Sequence, residues 1–182
     1  MKKGYEMKRV VVAVVGGKRS GKTTTVEALI SELAKRGYRI AAVKHISEQD
    51  FTIDTKGKDT WRYGQAGAKT IIGIAANETA TIEKIGKSLT IEEILNRCKN
   101  HDVIFLEGFK KLVSKEKTIP KIVAVKSKEE TRDALGVFEP ILAFAGFFQT
   151  KNLELTIPYV DARTHPEKLA DLVEDLIKAK HA

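Results

Sequence analysis

The chain has 182 residues, of which 42% are hydrophobic and 31% are charged, and its formal net charge at pH 7 is +8. This size and composition predict one globular domain over residues 1–182, while the single cysteine, Cys98, excludes an internal disulfide and a cysteine-based zinc site and favours a cytoplasmic location. The basic charge suits any anionic partner, but lysines are interleaved with glutamates along the chain, so nucleic-acid binding is not the favoured interpretation.

The N-terminal residues superficially resemble a secretion signal, because lysines precede a short apolar run. No small-residue cleavage site follows, and the run leads directly into a glycine-rich loop. We therefore interpret Lys8 to Val15 as a buried parallel strand and expect no membrane association. Met7 is a second candidate start, which would make residues 1–6 a tail.

The glycine-rich loop at residues 16–23, here called the phosphate loop, matches the Gly-x-x-x-x-Gly-Lys-Ser/Thr pattern of nucleotide-binding proteins. Glycines let successive backbone amides turn toward phosphate oxygens. Lys22 supplies a charge for the β and γ phosphates, and the Thr23 hydroxyl is a ligand for Mg²⁺. Apolar residues then recur at helical spacing up to Gly37. The predicted nucleotide-binding residues are Gly16, Gly17, Lys18, Arg19, Ser20, Gly21, Lys22, Thr23 and Thr24.

A charge-rich segment, Phe51 to Arg62, follows the second predicted strand, Tyr38 to His45. It begins as extended chain, and Asp59 or Thr60 is placed to cap a short helix that ends at Gly67. Two interpretations stay open. In the first, the segment is a connector with solvated charges. In the second, it is a switch-like element near Mg²⁺ and the γ phosphate, as its place after the second strand indicates.

The rest of the chain alternates apolar, β-branched runs with helical patterns, and a hairpin turn is expected at Asn77-Glu78. A short helix contains Ile91 and Leu95, and the last helix begins at Pro166. This order predicts an α/β fold, the three-layer sandwich of P-loop NTPases, with a mostly parallel sheet and an antiparallel hairpin. The predicted strands are Thr70 to Ala76, Thr79 to Ile85, Val103 to Leu106, Ile122 to Val125 and Ile141 to Ala145.

Glu107 directly follows the apolar strand Val103 to Leu106. Because the carboxyl ends of strands in an open α/β sheet face the ligand crevice, we expect Glu107 near Mg²⁺ or the attacking water. The alternative is an ordinary exposed glutamate at a strand end.

The nucleobase is not readable from the motifs. Guanine is commonly selected by an Asn/Thr-Lys-x-Asp element after a later strand, and AVKSKEE, Ala124 to Glu130, offers Lys126 without the aspartate. A small-molecule kinase that uses the same phosphate loop therefore stays open, and a basic nucleic-acid binder is the third alternative.

Four segments occur in an order and at a spacing that resemble the molybdopterin-guanine dinucleotide biosynthesis adapter family, MobB. Together they cover residues 9 to about 126. They are GGKRSGKTTT at residues 16–25, VKHISEQDFTIDTKGKDTWRYGQAGA at Val43 to Ala68, LEGFKK at Leu106 to Lys111, and PKIVAV at Pro120 to Val125.

The resemblance implies a GTP-binding protein with weak Mg²⁺-dependent GTPase activity that works beside the guanylyltransferase that attaches GMP to molybdopterin. It also implies a homodimer with a sheet extended between subunits, and contact with molybdopterin or its phosphate. Lys22, Asp54 and Glu107 would serve hydrolysis, and Thr23, Asp54 and Glu107 would serve the metal, with Asp59 as a further candidate. Lys58 and Arg62 would lie near nucleotide or pterin phosphate, and Lys110 at the crevice.

The chain departs from the family pattern after Lys44-His45. Family members often carry one or two further histidines at this point, whereas Ile46-Ser47-Glu48-Gln49 follows here. The resemblance therefore implies no role for a histidine cluster. His45 alone is interpreted equally well as a ligand or as a structural residue at the strand end.

Overall fold

The computed structural model describes residues 9–48, 50–148 and 156–181. The chain divides into two compact units, one formed by Met1–His45 with Ile91–Ala182 and the other by Ile46–Thr90. The prediction of one domain over residues 1–182 did not separate these units, and each is described by itself. The tail predicted at residues 1–6 lies outside the described residues.

The described residues form strands and helices in the following chain order. They are β1 (Val10–Gly16), α1 (Lys22–Lys35), β2 (Ile40–Lys44), α2 (Asp59–Gln65), β3 (Thr70–Ile74), β4 (Thr79–Glu83), α3 (Ile91–Asn96), β5 (Val103–Glu107), α4 (Lys110–Val113), β6 (Lys121–Ala124), α5 (Lys128–Val137), β7 (Ile141–Ala145), β8 (Tyr159–Val160) and α6 (Pro166–His181). No helix in the described ranges combines the length and apolar character needed to cross a membrane.

The first unit is built on a six-stranded sheet in the order β2-β5-β1-β6-β7-β8. Each neighbouring pair of strands is parallel. The predicted α/β fold with a mostly parallel sheet is therefore confirmed. In the register of β1 with β5, Val14 lies beside Glu107, so the end of β5 is adjacent to the start of the phosphate loop.

Alternating side chains of β1 point to opposite faces of this sheet, and both faces are buried. Val12 and Val14 belong to a core that also contains Leu29 of α1 and Leu169 of α6. Val15, whose side chain points the other way, is also fully buried. This burial on both faces explains why β1 is apolar throughout rather than alternating.

A lysine is completely buried at the start of β6. The Lys121 ammonium donates hydrogen bonds to the carbonyl oxygens of Glu116, at 2.6 Å, and Glu139, at 2.5 Å. These acceptors compensate the burial of a charged group, and burial lowers the pKa of Lys121. Lys121 therefore ties together the two loops that precede β6 and β7.

The second unit contains the antiparallel pair β3 and β4, which forms a separate two-stranded sheet. The hairpin is shorter in its strands and longer in its turn than predicted. Residues 75–78 form a four-residue connection, closed by a hydrogen bond from the Ala75 amide to the Glu78 carbonyl. Ile71 is buried, whereas Ile72 and Ile74 on the opposite face are 60% and 80% exposed.

The structure also corrects two helix predictions. Helix α2 begins at Asp59, with Lys58 at its N-cap and no side-chain cap, so neither Asp59 nor Thr60 caps it as predicted. Helix α5 had not been predicted, although the Ser127 hydroxyl accepts a hydrogen bond from the Glu130 amide. Ser-x-x-Glu is the sequence signature of such a helix start.

Candidate nucleotide-binding site

The phosphate loop adopts a conformation that requires glycine at two positions. Gly16 and Gly21 have φ angles of 149° and 91°. A Cβ atom on Gly16 would lie 2.2 Å from the Ala124 carbonyl oxygen, and one on Gly21 would lie 2.4 Å from the Phe147 ring. The loop is therefore seated against β6 and the end of β7, and only glycine fits these two contacts.

Helix α1 begins directly after this loop. Gly21 is its N-cap residue and provides no side-chain cap. The amides of the first helical turn, which have no acceptor within the helix, thus receive none from a capping side chain. Together with the positive end of the helix dipole, these amides suit an anion such as a phosphate group. Ser20 adds a buried hydroxyl without a hydrogen-bond partner among the described residues.

Lys22 lies among several charges. Its ammonium donates a hydrogen bond to the Gly17 carbonyl oxygen at 2.5 Å, which folds the side chain back over the loop. Burial lowers the pKa of Lys22, the negative charge of Glu107 opposes that shift, and Lys44 and Lys126 add to it. An anion placed here would favour the charged ammonium, because it adds negative charge to a site that already contains three lysines.

Glu107 is the buried carboxylate of the site, 8% exposed at the end of β5. Its Oε1 atom accepts a hydrogen bond from the Thr23 hydroxyl at 2.9 Å and lies 3.1 Å from the Lys44 ammonium. A hydroxyl and a carboxylate oxygen on adjacent elements match the oxygen ligands that Mg²⁺ accepts alongside nucleotide phosphates. The residues present therefore fit a magnesium ion held together with a triphosphate.

The structure brings together Lys22, Thr23 and Glu107 of the predicted catalytic and metal residues. Thr24 lies in the first turn of α1, and Lys18 and Arg19 are exposed in the loop. Lys110 lies at the start of α4, where its ammonium is 5.6 Å from the centre of the Phe138 ring.

The other predicted site residues belong to the second unit and make contacts within it. Asp54 Oδ1 accepts hydrogen bonds from the Thr60 hydroxyl at 2.9 Å and the Thr55 amide at 2.8 Å. Within α2, Asp59 Oδ1 lies 3.5 Å from Arg62 Nη1, and Lys58 is the N-cap residue that directly precedes Asp59. Their roles toward metal and phosphate stay predictions. In the part of the chain that the structure describes, no three or more histidine, cysteine or carboxylate side chains cluster into a metal site.

Sequence reasoning missed two residues of the site. Lys44 is paired with Glu107 in the β2–β5 register. Side chains alternate along a strand, so Lys44 lies on the same face of β2 as Ile40, which packs against the core, and this spacing was the signal that could have identified it. Phe147 packs against Gly21, and the Arg163 guanidinium lies 3.9 Å above its ring centre. No local pattern connects Phe147 to Gly21, because their contact depends on how the loop and β7 are placed.

The two contacts of the loop glycines lead to a matched pair of substitutions. Gly21→Ala should lower the free energy of unfolding by about 2 kcal/mol or more, because alanine is strained at a φ of 91° and its Cβ would overlap Phe147. Gly17→Ala is the control, since no atom lies within 4 Å of its added Cβ and its φ is not positive. Urea unfolding measures the difference, and equal stability of the two variants would contradict this account of the loop.

Comparisons with known proteins agree with this geometry. A family model described as MobB, molybdopterin guanine dinucleotide synthesis protein B, matches residues 11–146. The molybdopterin-guanine dinucleotide biosynthesis adapter protein of Haemophilus influenzae is 29% identical over 173 residues, which are 94% of this chain and 91% of that protein. A probable adapter protein of the same description from Bacillus subtilis is 31% identical over 122 residues, 66% of this chain and 67% of that protein.

Solved structures show the same architecture. The crystal structure of Bacillus subtilis MobB superposes with a TM-score of 0.71 at 27% identity and covers 91% of this chain and 96% of its own. A second crystal structure, of molybdopterin-guanine biosynthesis protein B, gives a TM-score of 0.71 at 23% identity and covers 93% of this chain and 99% of its own. Since the family model spans most of the chain, including the phosphate loop and Glu107, this protein belongs to the MobB family.

Proposed function

We propose that this protein is a GTP-binding adapter in the biosynthesis of molybdopterin guanine dinucleotide, with slow Mg²⁺-dependent GTPase activity. The observation that carries the proposal is the hydrogen bond from the Thr23 hydroxyl to Glu107, beside Lys22. It lies where the phosphate loop leads into helix α1, whose N-terminus has no side-chain cap. The names of the relatives from Haemophilus influenzae and Bacillus subtilis support the adapter role. The proposed partner is the guanylyltransferase of this pathway, in the cytoplasm.

In this proposal the triphosphate lies against the loop amides, and the Lys22 ammonium exchanges the Gly17 carbonyl for β and γ phosphate oxygens. Thr23 Oγ1 and Glu107 are the residues that would hold Mg²⁺, which when bound neutralises charge on the phosphates. Water would attack the γ phosphorus in line with the β–γ bridging oxygen. That P–O bond would break to release GDP, and the proton of the water would pass to the released phosphate. Lys22 and the amides stabilise the charge that develops on the phosphoryl oxygens.

The contacts of Glu107 suggest a reason for slow hydrolysis. Its carboxylate accepts a hydrogen bond from the Thr23 hydroxyl and lies within ion-pair distance of the Lys44 ammonium. A carboxylate oxygen engaged in this way is less available to accept a proton from the attacking water. Slow turnover suits an adapter, because the GTP-bound state then lasts long enough for a partner to engage it.

Removing the Lys22 charge tests nucleotide binding. Lys22→Ala should weaken GTP binding by roughly a hundredfold, because the charged hydrogen bonds to the phosphates are lost. Isothermal titration calorimetry with Mg²⁺ measures this loss, and ATP titrated in parallel gives the preference for guanine. Lys99→Ala, an exposed lysine outside the site, removes the same formal charge as a control. GTP affinity in Lys22→Ala within a fewfold of the wild-type value would refute the assignment of the phosphate loop.

Removing a carboxylate separates hydrolysis from binding. Glu107→Ala should slow GTP hydrolysis roughly a hundredfold and weaken GTP affinity much less, because the carboxylate acts on metal or water rather than on the nucleotide. The resemblance to the family predicts the same pattern for Asp54→Ala. Phosphate release under single-turnover conditions measures the rate, with Asp133→Ala, at an exposed position of helix α5, as the control. Equal losses of rate and affinity would argue against a metal or water role.

We also propose that the protein is a homodimer that uses the β3–β4 hairpin. One face of the hairpin carries the exposed Ile72 and Ile74, which pair across the strands with Thr81 and Thr79. This face is β-branched, and a two-stranded ribbon leaves backbone groups unpaired along its edges. Such an edge and face suit self-association around a two-fold axis.

Light scattering after size exclusion should therefore give the mass of a dimer for the wild-type protein. Ile74→Lys should shift the population toward monomer, because it places a charge in the apolar contact. Ile53→Lys, at an equally exposed isoleucine outside the two strands, is the matched control. A wild-type monomer, or an Ile74→Lys dimer as stable as the wild type, would contradict the use of this face.

A further inference from the structure

An aromatic ring and a guanidinium form a stacked pair beside the phosphate loop. The Phe147 ring contacts the Cα side of Gly21, and the Arg163 guanidinium carbon lies 3.9 Å from the centre of that ring. The Arg163 side chain is 56% exposed, so one side of the guanidinium faces Phe147 while much of the group stays accessible. The mechanism of hydrolysis described above uses neither residue.

The sheet order places this pair on a defined flank of the site. Strands β7 and β8 are parallel, with Ala145 opposite Val160, so Phe147 and Arg163 follow their carboxyl ends by two and three residues. Glu107 ends β5, which lies on the other side of β1 in the sheet. A nucleotide whose metal-bound end is at Glu107 and whose phosphates lie on the loop therefore has its base free to extend toward β7 and β8.

We propose that Arg163, supported by Phe147, is the stacking platform for the purine base of the bound nucleotide. This inference rests on the proposed function, because it assigns a base subsite to the same phosphate loop. A guanidinium is planar and weakly hydrated, so it stacks on aromatic rings and on nucleobases. Between the Phe147 ring and a purine, the cation would have an aromatic group on each side.

Asp161 fixes the position of the platform. Its Oδ1 atom accepts a hydrogen bond from the Arg163 amide at 2.9 Å and lies 3.6 Å from Arg163 Nε. These contacts hold the stem of the side chain and leave the end of the guanidinium over Phe147. The platform is thus ordered before the base arrives, which lowers the entropic cost of binding.

A stacking platform does not depend on an Asn/Thr-Lys-x-Asp element, which the sequence lacks after β6. Stacking contributes affinity for any purine, because every base has an aromatic face. Arg163 should therefore strengthen the binding of GTP and of ATP by similar factors. Arg163 should not contribute to the affinity for inorganic tripolyphosphate, because this ligand has no base.

The test uses the full-length protein with Mg²⁺ and three probes, GTP, ATP and inorganic tripolyphosphate, by calorimetry. Arg163→Ala should weaken GTP and ATP binding about tenfold and leave tripolyphosphate binding unchanged. Arg163→Lys keeps the charge but not the planar group, so it should also lose most of the affinity for the nucleotides. Arg132→Ala, at an exposed position of helix α5, is the charge control. Thermal unfolding of each variant checks that the fold is retained.

Phe147→Leu provides a second variant, because leucine keeps apolar packing against Gly21 but removes the ring beneath Arg163. It should weaken nucleotide binding severalfold, again without an effect on tripolyphosphate. Wild-type GTP affinity in Arg163→Ala would overturn the platform, and so would an equal loss for GTP and tripolyphosphate, since Arg163 would then act only as a charge. If the wild-type protein binds neither GTP nor tripolyphosphate, the proposed function itself fails and the platform fails with it.

Discussion

The parallel register between β1 and β5 is the constraint on which the site depends. It places Glu107 beside Val14, and the Gly108 amide continues the ladder to the Val14 carbonyl. Glu107 shares a face with Val103 and Phe105, which pack in the core with α1, so its carboxylate points toward the start of that helix. A slip of one residue would turn it to the opposite face and separate it from Thr23.

A buried carboxylate needs partners, and here the partners explain the character of the site. The Thr23 hydroxyl donates a hydrogen bond to Glu107, and the Lys44 ammonium forms an ion pair with it, in a position where a carboxylate without partners would be costly. Lys22 and Lys126 add positive charge nearby. Three lysines around one carboxylate give the site a surplus of positive charge, which suits a polyanionic ligand.

Features fixed by local sequence could be predicted, and features fixed by register could not. The phosphate loop, helix α1 and the apolar strands follow from glycine spacing and periodicity, and Glu107 follows from its place after an apolar strand. Lys44 and Phe147 were missed because each reaches the site through strand pairing or loop placement. Helix α5 was missed although Ser127 and Glu130 carry a capping signal. Residues 46–90 form a compact unit of their own because of their tertiary contacts, which cannot be predicted from amino-acid composition.

The sheet divides the candidate site into two flanks around β1. On one side, β5 and β2 supply Glu107 and Lys44, the groups placed to act on metal and phosphate. On the other side, β7 and β8 lead to Phe147 and Arg163, which lie away from the carboxylate that would affect hydrolysis. Because the two flanks are carried by different strands, a substitution at Phe147 or Arg163 need not alter the charge balance around Glu107. Under the proposed function, this separation would allow nucleotide affinity and the rate of hydrolysis to be set independently.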